Sequence, residues 1–240
     1  MSVFLQKQID KLKKQVLEIG ACCEEALRDA VVSVLERDPD LAERVIARDT
    51  RIDLLEVELE EECLHTLALH QPVAFDLRYV VAVLKINNDL ERIGDHAKSI
   101  AQQAIFLCDE PAIDRPPFDL REMSGVTAKM LRSALDALVG LDVDEAKAVR
   151  KLDKTVDRIN AAMYDDVIAA MRKSPEHMEQ LVHFMNISRQ LERTADHACN
   201  VAKDVRYMAE GEIFRHMRKR RQAAEQAEAI AAAEADPAED

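Results

Sequence analysis

Residues 90 to 97 read L-E-R-I-G-D-H-A, and residues 191 to 198 read L-E-R-T-A-D-H-A, with two of the eight positions changed. A charged octamer present twice, about a hundred residues apart, marks a duplicated unit. The flanking sequence aligns as well. Offset by 104, Leu27, Arg28, Ala30, Asp38, Asp40, Ala42, Asp49 and Asp53 meet Leu131, Arg132, Ala134, Asp142, Asp144, Ala146, Asp153 and Asp157. The octamers themselves are offset by 101, which places a three-residue length difference in the turn between them.

Each copy reads as three helices. From Leu5 to Leu35 the apolar residues Leu5, Ile9, Leu12, Val16, Ile19, Cys23, Ala26, Ala30 and Val34 recur at three- and four-residue steps, the period of an amphipathic helix. Asp38-Pro39-Asp40 breaks that run, and Asp40 with Glu43 resembles a capping box opening a second helix that extends to about His70. Gln71-Pro72 ends it. P-V-A-F-D-L-R at 72 to 78 then opens a third helix, to about Leu107, with Asp76 and Arg78 read as a local cap and ion pair in preference to a partner-facing feature. C-D-E-P-A-I-D-R-P-P-F at 108 to 118 reads as the linker between the units. The second copy follows the same plan over about 119–139 and 142–173, breaks at Ser174-Pro175, and ends with a helix to about Met208. The expected fold is all-α, two tandem three-helix bundles over residues 1–110 and 117–210, followed by a charged C-terminal tail at 211–240.

Composition agrees with this class: five Gly, seven Pro, no Trp and few aromatics in 240 residues, enough chain to bury a sizeable core. A formal net charge of −13 argues against a nucleic-acid binder, which needs excess Lys and Arg to displace counterions, and suits metal cations or a basic partner. No signal-peptide pattern opens the chain, and its longest strongly apolar run, YVVAVL at 79 to 84, is too short to span a bilayer, so a cytoplasmic protein is expected. Five cysteines without a CxxC spacing read as reduced thiols. R-H-M-R-K-R-R at 215 to 221 suits contact with anionic lipid or an acidic partner as well as it suits a solvated, fraying helix.

The chemistry lies in the acids. Glu91 and Asp95 stand four apart, as do Glu192 and Asp196, so each pair leaves its helix on one side. The preceding helices carry Asp49 with Asp53, and Asp153 with Asp157. Folding each helix pair back at its proline places residues equidistant from the turn side by side. Asp53 then meets Glu91 and Asp49 meets Asp95 about residue 72, while Asp157 meets Glu192 and Asp153 meets Asp196 between 174 and 175. Each half thus gathers four carboxylates, the inner pair about 28 Å from its turn. Unit charges ~5 Å apart repel by roughly 3 kcal/mol at an effective dielectric near 20, so a cation is expected there. Oxygen donors suit Mg²⁺, Mn²⁺, Ca²⁺ or ferric iron. The competing reading is a set of surface ion pairs with Arg51, Arg92, Lys154 and Arg193. His96 and His197, about 100° further round their helices, are expected beside the acids, supporting them or facing solvent, rather than as ligands. Glu62 and His65 have the ligand spacing of ferritin-like di-iron helices, but the second half has no counterpart, so the pair is read as chance.

With D-x-x-x-D at 49 to 53, P-V-A-F-D-L-R at 72 to 78, D-K-T-V-D at 153 to 157 and the two octamers, the chain resembles the PhoU family over about residues 5 to 209. The resemblance implies two three-helix bundles and multinuclear metal clusters on the paired acids, with magnesium, manganese, iron or zinc as candidate ions. It also implies a homodimer or larger assembly and no catalytic reaction. The implied role is regulation at the inner membrane face, with peripheral membrane association, together with the phosphate-specific ABC transporter ATPase and its sensor histidine kinase. There the protein would restrain phosphate uptake and the phosphate-starvation response. The alternatives are an accessory protein of a low-affinity phosphate permease and, from another class, a ferritin-like di-iron carboxylate oxidase. The second half departs from the pattern in having S-P-E-H-M-E-Q in place of P-V-A-F-D-L-R, and Thr194-Ala195 in place of Ile93-Gly94.

Overall fold

A computed structural model describes residues 3–113 and 116–212. The tail at 213–240, with its basic cluster, lies outside the described residues. The described residues form six helices in chain order: α1 (Val3–Glu36), α2 (Pro39–His70), α3 (Ala74–Asp109), α4 (Leu120–Gly140), α5 (Val143–Lys173) and α6 (Met178–Glu210), with a 3-10 turn, Pro175–His177, before α6. Among the described residues there is no strand. The architecture is the all-α pair of three-helix bundles that the sequence implies.

Aspartates set the starts of α2, α4 and α5. The Asp38 carboxylate accepts the Leu41 amide at 2.9 Å, Asp119 accepts that of Glu122 at 2.8 Å, and Asp142 accepts both Asp144 and Glu145. Each satisfies an amide that lacks an intrahelical acceptor. The cap of α2 is therefore Asp38, two residues before the expected Asp40. Pro39 has no amide hydrogen and its fixed φ suits a first helical position, so the helix begins at the proline. Arg37, in the left-handed region at φ 55°, turns the chain between α1 and α2. Its guanidinium reaches the end of α3, donating to the Cys108 carbonyl at 3.2 Å and to that of Glu110.

At the start of α3 the expected cap and ion pair do not form. Val73 is the capping residue, with no side-chain hydrogen bond, and its carbonyl accepts the Asp76 amide at 3.2 Å. Arg78 instead reaches the other bundle. Its Nε stands 3.5 Å from the Met208 carbonyl in the last turn of α6, and its guanidinium lies over the Phe75 ring, 6.0 Å from the centroid. The last carbonyls of a helix lack intrahelical donors and carry partial negative charge, which makes that end a better partner than Asp76.

The bundles share one continuous core drawn from all six helices. It includes Leu12, Ile19, Leu27, Ile86, Leu90, Ile93, Met130 and Leu131, all essentially without exposed surface. Each such side chain contributes about 1.5–3 kcal/mol on burial. The halves meet along α3 and α6, which run antiparallel, and along α1 and α4. Gly20 permits the second contact, since a Cβ there would lie 2.7 Å from Leu135 Cδ2. Lys13 donates to the Val139 carbonyl at 3.1 Å and Arg132 pairs with Glu24 at 3.2 Å across the same face. α2 and α5 each pack against the other helices of their own bundle.

Gly94 sets how closely α2 approaches α3 beside the acids. A Cβ there would meet Ile52 Cδ1 at 3.0 Å and Cγ2 at 3.2 Å. The repeat places Ala195 at the matching position and Val156, one carbon smaller, opposite Ile52. Gly94→Ala should therefore strain the α2–α3 contact, and adding Ile52→Val should relieve it. The double-mutant cycle, followed by denaturant unfolding, should show a favourable coupling of about 1 kcal/mol. Strict additivity would mean the two positions do not press on one another.

Candidate functional site

In the N-terminal half the acids come from facing stretches of α2 and α3. Asp49 is buried, with 4 % of its surface exposed, beside the bare Cα of Gly94. The carboxyl of Asp53 is pushed above its ordinary value first by burial and then by Asp49 and Asp95, while Lys98 pulls it back. Burial and then Asp95 raise Glu91, with Glu56 and Asp53 adding to the effect and Arg92 opposing it. Glu56, one turn beyond Asp53, is raised by burial, by Glu60 and by Asp53. The N-terminal acids thus act on one another, and Glu56 joins them.

The C-terminal half repeats this on α5 and α6. Asp153 is raised by burial and then by Asp157 and Asp196, with a hydrogen bond from Cys199 and the charge of Lys203 acting against them. Glu192 is raised by burial and then by Asp196, Asp157 and Asp153, against Arg189. Among the described residues no three His, Cys, Asp or Glu side chains already form a cage for one ion. The donor chemistry nevertheless fits a hard cation: the groups are all oxygen, and Asp53, Glu91, Asp153 and Glu192 are made harder to ionise by burial and by their acidic neighbours.

The ion-pair reading holds in part. Arg51 turns to Glu18 at 2.7 Å. Arg92 touches Glu91 at 3.5 Å and Asp95 at 3.4 Å, with about half of its side chain exposed, and such pairs contribute about 1 kcal/mol or less. The stronger basic contact comes from a residue not singled out in the sequence: Lys98 Nζ lies 2.5 Å from Asp49 Oδ2. Extending the octamer alignment by one residue pairs Lys98 with Cys199, and that was the signal available for both.

His96 and His197 lie in the seam between α3 and α6, with ring centroids 5.3 Å apart. His96 is buried rather than facing solvent, and burial, then His197, Arg193 and Arg92, push it down to about 4, so it is neutral at physiological pH. His197 Nδ1 lies 2.8 Å from Asp89, which also accepts from Asn200 at 3.2 Å. The step of about 100° past each aspartate turns the rings toward the opposite bundle. Asp76 and Arg78 sit at the far end of the first bundle, at the start of α3. Glu62 is engaged by Lys11 at 2.5 Å and His65 is exposed, so this pair does not form a ligand set.

The described helices include none long and apolar enough to cross a membrane. The PhoU domain model matches residues 16–104 and again 120–205. A Pseudomonas putida protein named phosphate-specific transport system accessory protein PhoU homolog is 36% identical over 228 residues, covering 95% of this chain and 89% of that one. The crystal structure of PhoU from Pseudomonas aeruginosa superposes with a TM-score of 0.84 at 34% identity, covering 86% of this chain and 99% of that one. The phosphate transport system regulatory protein PhoU from Streptococcus pneumoniae gives a TM-score of 0.80 at 25% identity, covering 87% and 98%. These names describe accessory and regulatory proteins of phosphate transport.

The raised carboxyls set a pH dependence. Asp53, Glu91, Asp153 and Glu192 hold protons more tightly in the folded chain than in the unfolded one. Between their ordinary and raised values the folded state binds more protons, and their contribution to stability falls as pH rises. In chelator, Glu192→Gln should gain stability relative to the parent at neutral pH. The gain should shrink as pH falls toward 4.5, the ordinary value for Glu. A pH-independent difference in thermal midpoint would contradict this.

Proposed function

The chain belongs to the PhoU family, and we propose that it is a metal-binding regulator of phosphate homeostasis. In this reading it works with the phosphate-specific ABC transporter ATPase and its sensor histidine kinase, as a homodimer or larger assembly at the inner membrane face, restraining phosphate uptake and the starvation response. The observation that carries it is the recurrence of the same acid spacing in both halves, with the equivalent Glu91 and Glu192 each raised by burial and by a neighbouring aspartate, in a chain whose relatives bear that name. Asp49, Asp53, Glu91 and Asp95 would hold cations in the first half; Asp153, Asp157, Glu192 and Asp196 would do so in the second. When bound, a hard cation supplies the positive charge that lets carboxylates of two helices stay ionised together. The protein's part is to present the acids from paired helices and to keep their surroundings partly dry.

Elemental analysis of gently purified protein should find metal, and calorimetric titration with Mg²⁺, Mn²⁺ or iron should show binding tighter than millimolar; its absence for all of them would end the metal reading. A ligand at a hundred times its dissociation constant adds about 2.7 kcal/mol to the state it binds, so chelation should lower the melting temperature. Deleting the gene should raise a phosphate-responsive promoter in phosphate-rich medium, and the protein should co-purify with the transporter ATPase or the kinase. An unchanged promoter and neither partner would favour a permease accessory instead.

A further inference from the structure

The two acid sets differ at two positions that the duplication makes equivalent: Glu56, which joins the N-terminal acids, is matched by Asn160, and the basic group beside Asp49 is matched by a thiol. On α3 that basic group is Lys98, whose ammonium lies 2.5 Å from Asp49 Oδ2 and also acts on Asp53 and Asp95. It therefore serves three of the four N-terminal acids. On α6 its place is taken by Cys199, 101 residues on, which hydrogen-bonds Asp153, the counterpart of Asp49. The thiol is buried, and an S–H group brings no positive charge to the acids beside it. The nearby base Lys203, a turn further along α6, donates to Asn200 at 3.0 Å, and Arg189 opposes only part of the charge on Glu192.

We infer that Lys98 is a tethered cation occupying the place of a metal ion in the N-terminal half, so that metal uptake falls to the C-terminal half, where Cys199 stands at the same position. This rests on the metal reading above and adds to it an inequality between the halves. An ion entering the first half must displace an ammonium covalently held at high local concentration, with no solvent barrier to its return. In the second half an ion meets four carboxylates where Lys203 acts on Asp153 through its charge while its ammonium is bonded to Asn200, so the ion displaces at most the thiol hydrogen bond to Asp153. The side chain of Lys98 is about one-third exposed while that of Asp49 is only 5 % exposed. The ammonium can therefore swing to water, whereas the aspartate stays in place and needs a cation.

Titration with Mn²⁺, followed by calorimetry and by the electron paramagnetic resonance of free Mn²⁺, tests this on the full chain. In the parent, Asp157→Asn with Glu192→Gln should abolish tight binding, and Asp53→Asn with Glu91→Gln should leave the tight isotherm unchanged. Lys98→Met, which keeps most of the apolar stem, should raise affinity in the N-terminal half by at least about tenfold, judged from unit charges a few ångströms apart at an effective dielectric near 20. It should also lower the melting temperature in chelator, with recovery on adding Mn²⁺. Should Lys98→Met not fold, the two pairs of acid variants decide the question alone. Equal Mn²⁺ binding by both halves of the parent, each removed by its own acid variants, overturns the inference and leaves the metal reading standing. No binding by parent or Lys98→Met overturns both.

Discussion

Four carboxylates gathered across two antiparallel helices repel one another, the more so where one of them, as Asp49, is buried, and either protons or a cation must relieve that repulsion. That constraint governs the rest of the molecule. The helix hairpins bring the acids together, and Gly94 lets α2 come near enough to α3 for Asp49 to be buried. The core shared by both bundles holds the four helices against the resulting repulsion. At the approach of unit charges inside a hairpin, repulsion is several times the net contribution of an exposed ion pair. Arg92 at the rim therefore cannot offset it, whereas a cation inside the set can.

The duplication shows how this constraint is met twice with different residues. Asn87 donates to the Glu56 carbonyl, and at the matching positions Ser188 donates to Asn160. His197 meets Asp89 across the seam, and its counterpart His96 meets Gln190, the counterpart of Asp89. Lys98 meets Asp49, and Cys199 meets Asp153. In the last two cases the contact is retained while its charge changes, and in the first a neutral donor turns from a backbone carbonyl to a side-chain amide, which leaves the backbone frames alike and the electrostatics unequal. The seam illustrates why: the α3–α6 packing fixes where each side chain points, and a hydrogen bond can be made there by an aspartate or by an amide.

Much of this was legible in the sequence because it follows from periodicity and spacing. Helices, breaks and the pairing of Asp53 with Glu91 all derive from apolar steps of three and four and from reflection about Pro72. What escaped depends on tertiary neighbours. That Asp38 caps α2 was hidden because Asp40 has the same chemistry two residues later, and only the helical tolerance of Pro39 separates them. Arg78 read as an ion-pair partner of Asp76 because nothing local reveals that the end of α6 lies beside it. His96 looked peripheral because a single helix does not show which of its faces meets another bundle. Lys98 and Glu56 were missed because the octamer ended one residue too soon and because Glu56 has no acidic counterpart at Asn160.

The central claim, that these acids are a cation site left open in one half and filled by lysine in the other, is tested most directly by crystals grown with Mn²⁺ and measured near the manganese absorption edge. An anomalous peak between α5 and α6, coordinated by carboxylates from among Asp153, Asp157, Glu192 and Asp196, is the predicted result, with the Lys98 ammonium on Asp49 in the other half. Fully occupied peaks of equal height in both halves, with Lys98 turned to solvent, or no peak at either acid set, would contradict it.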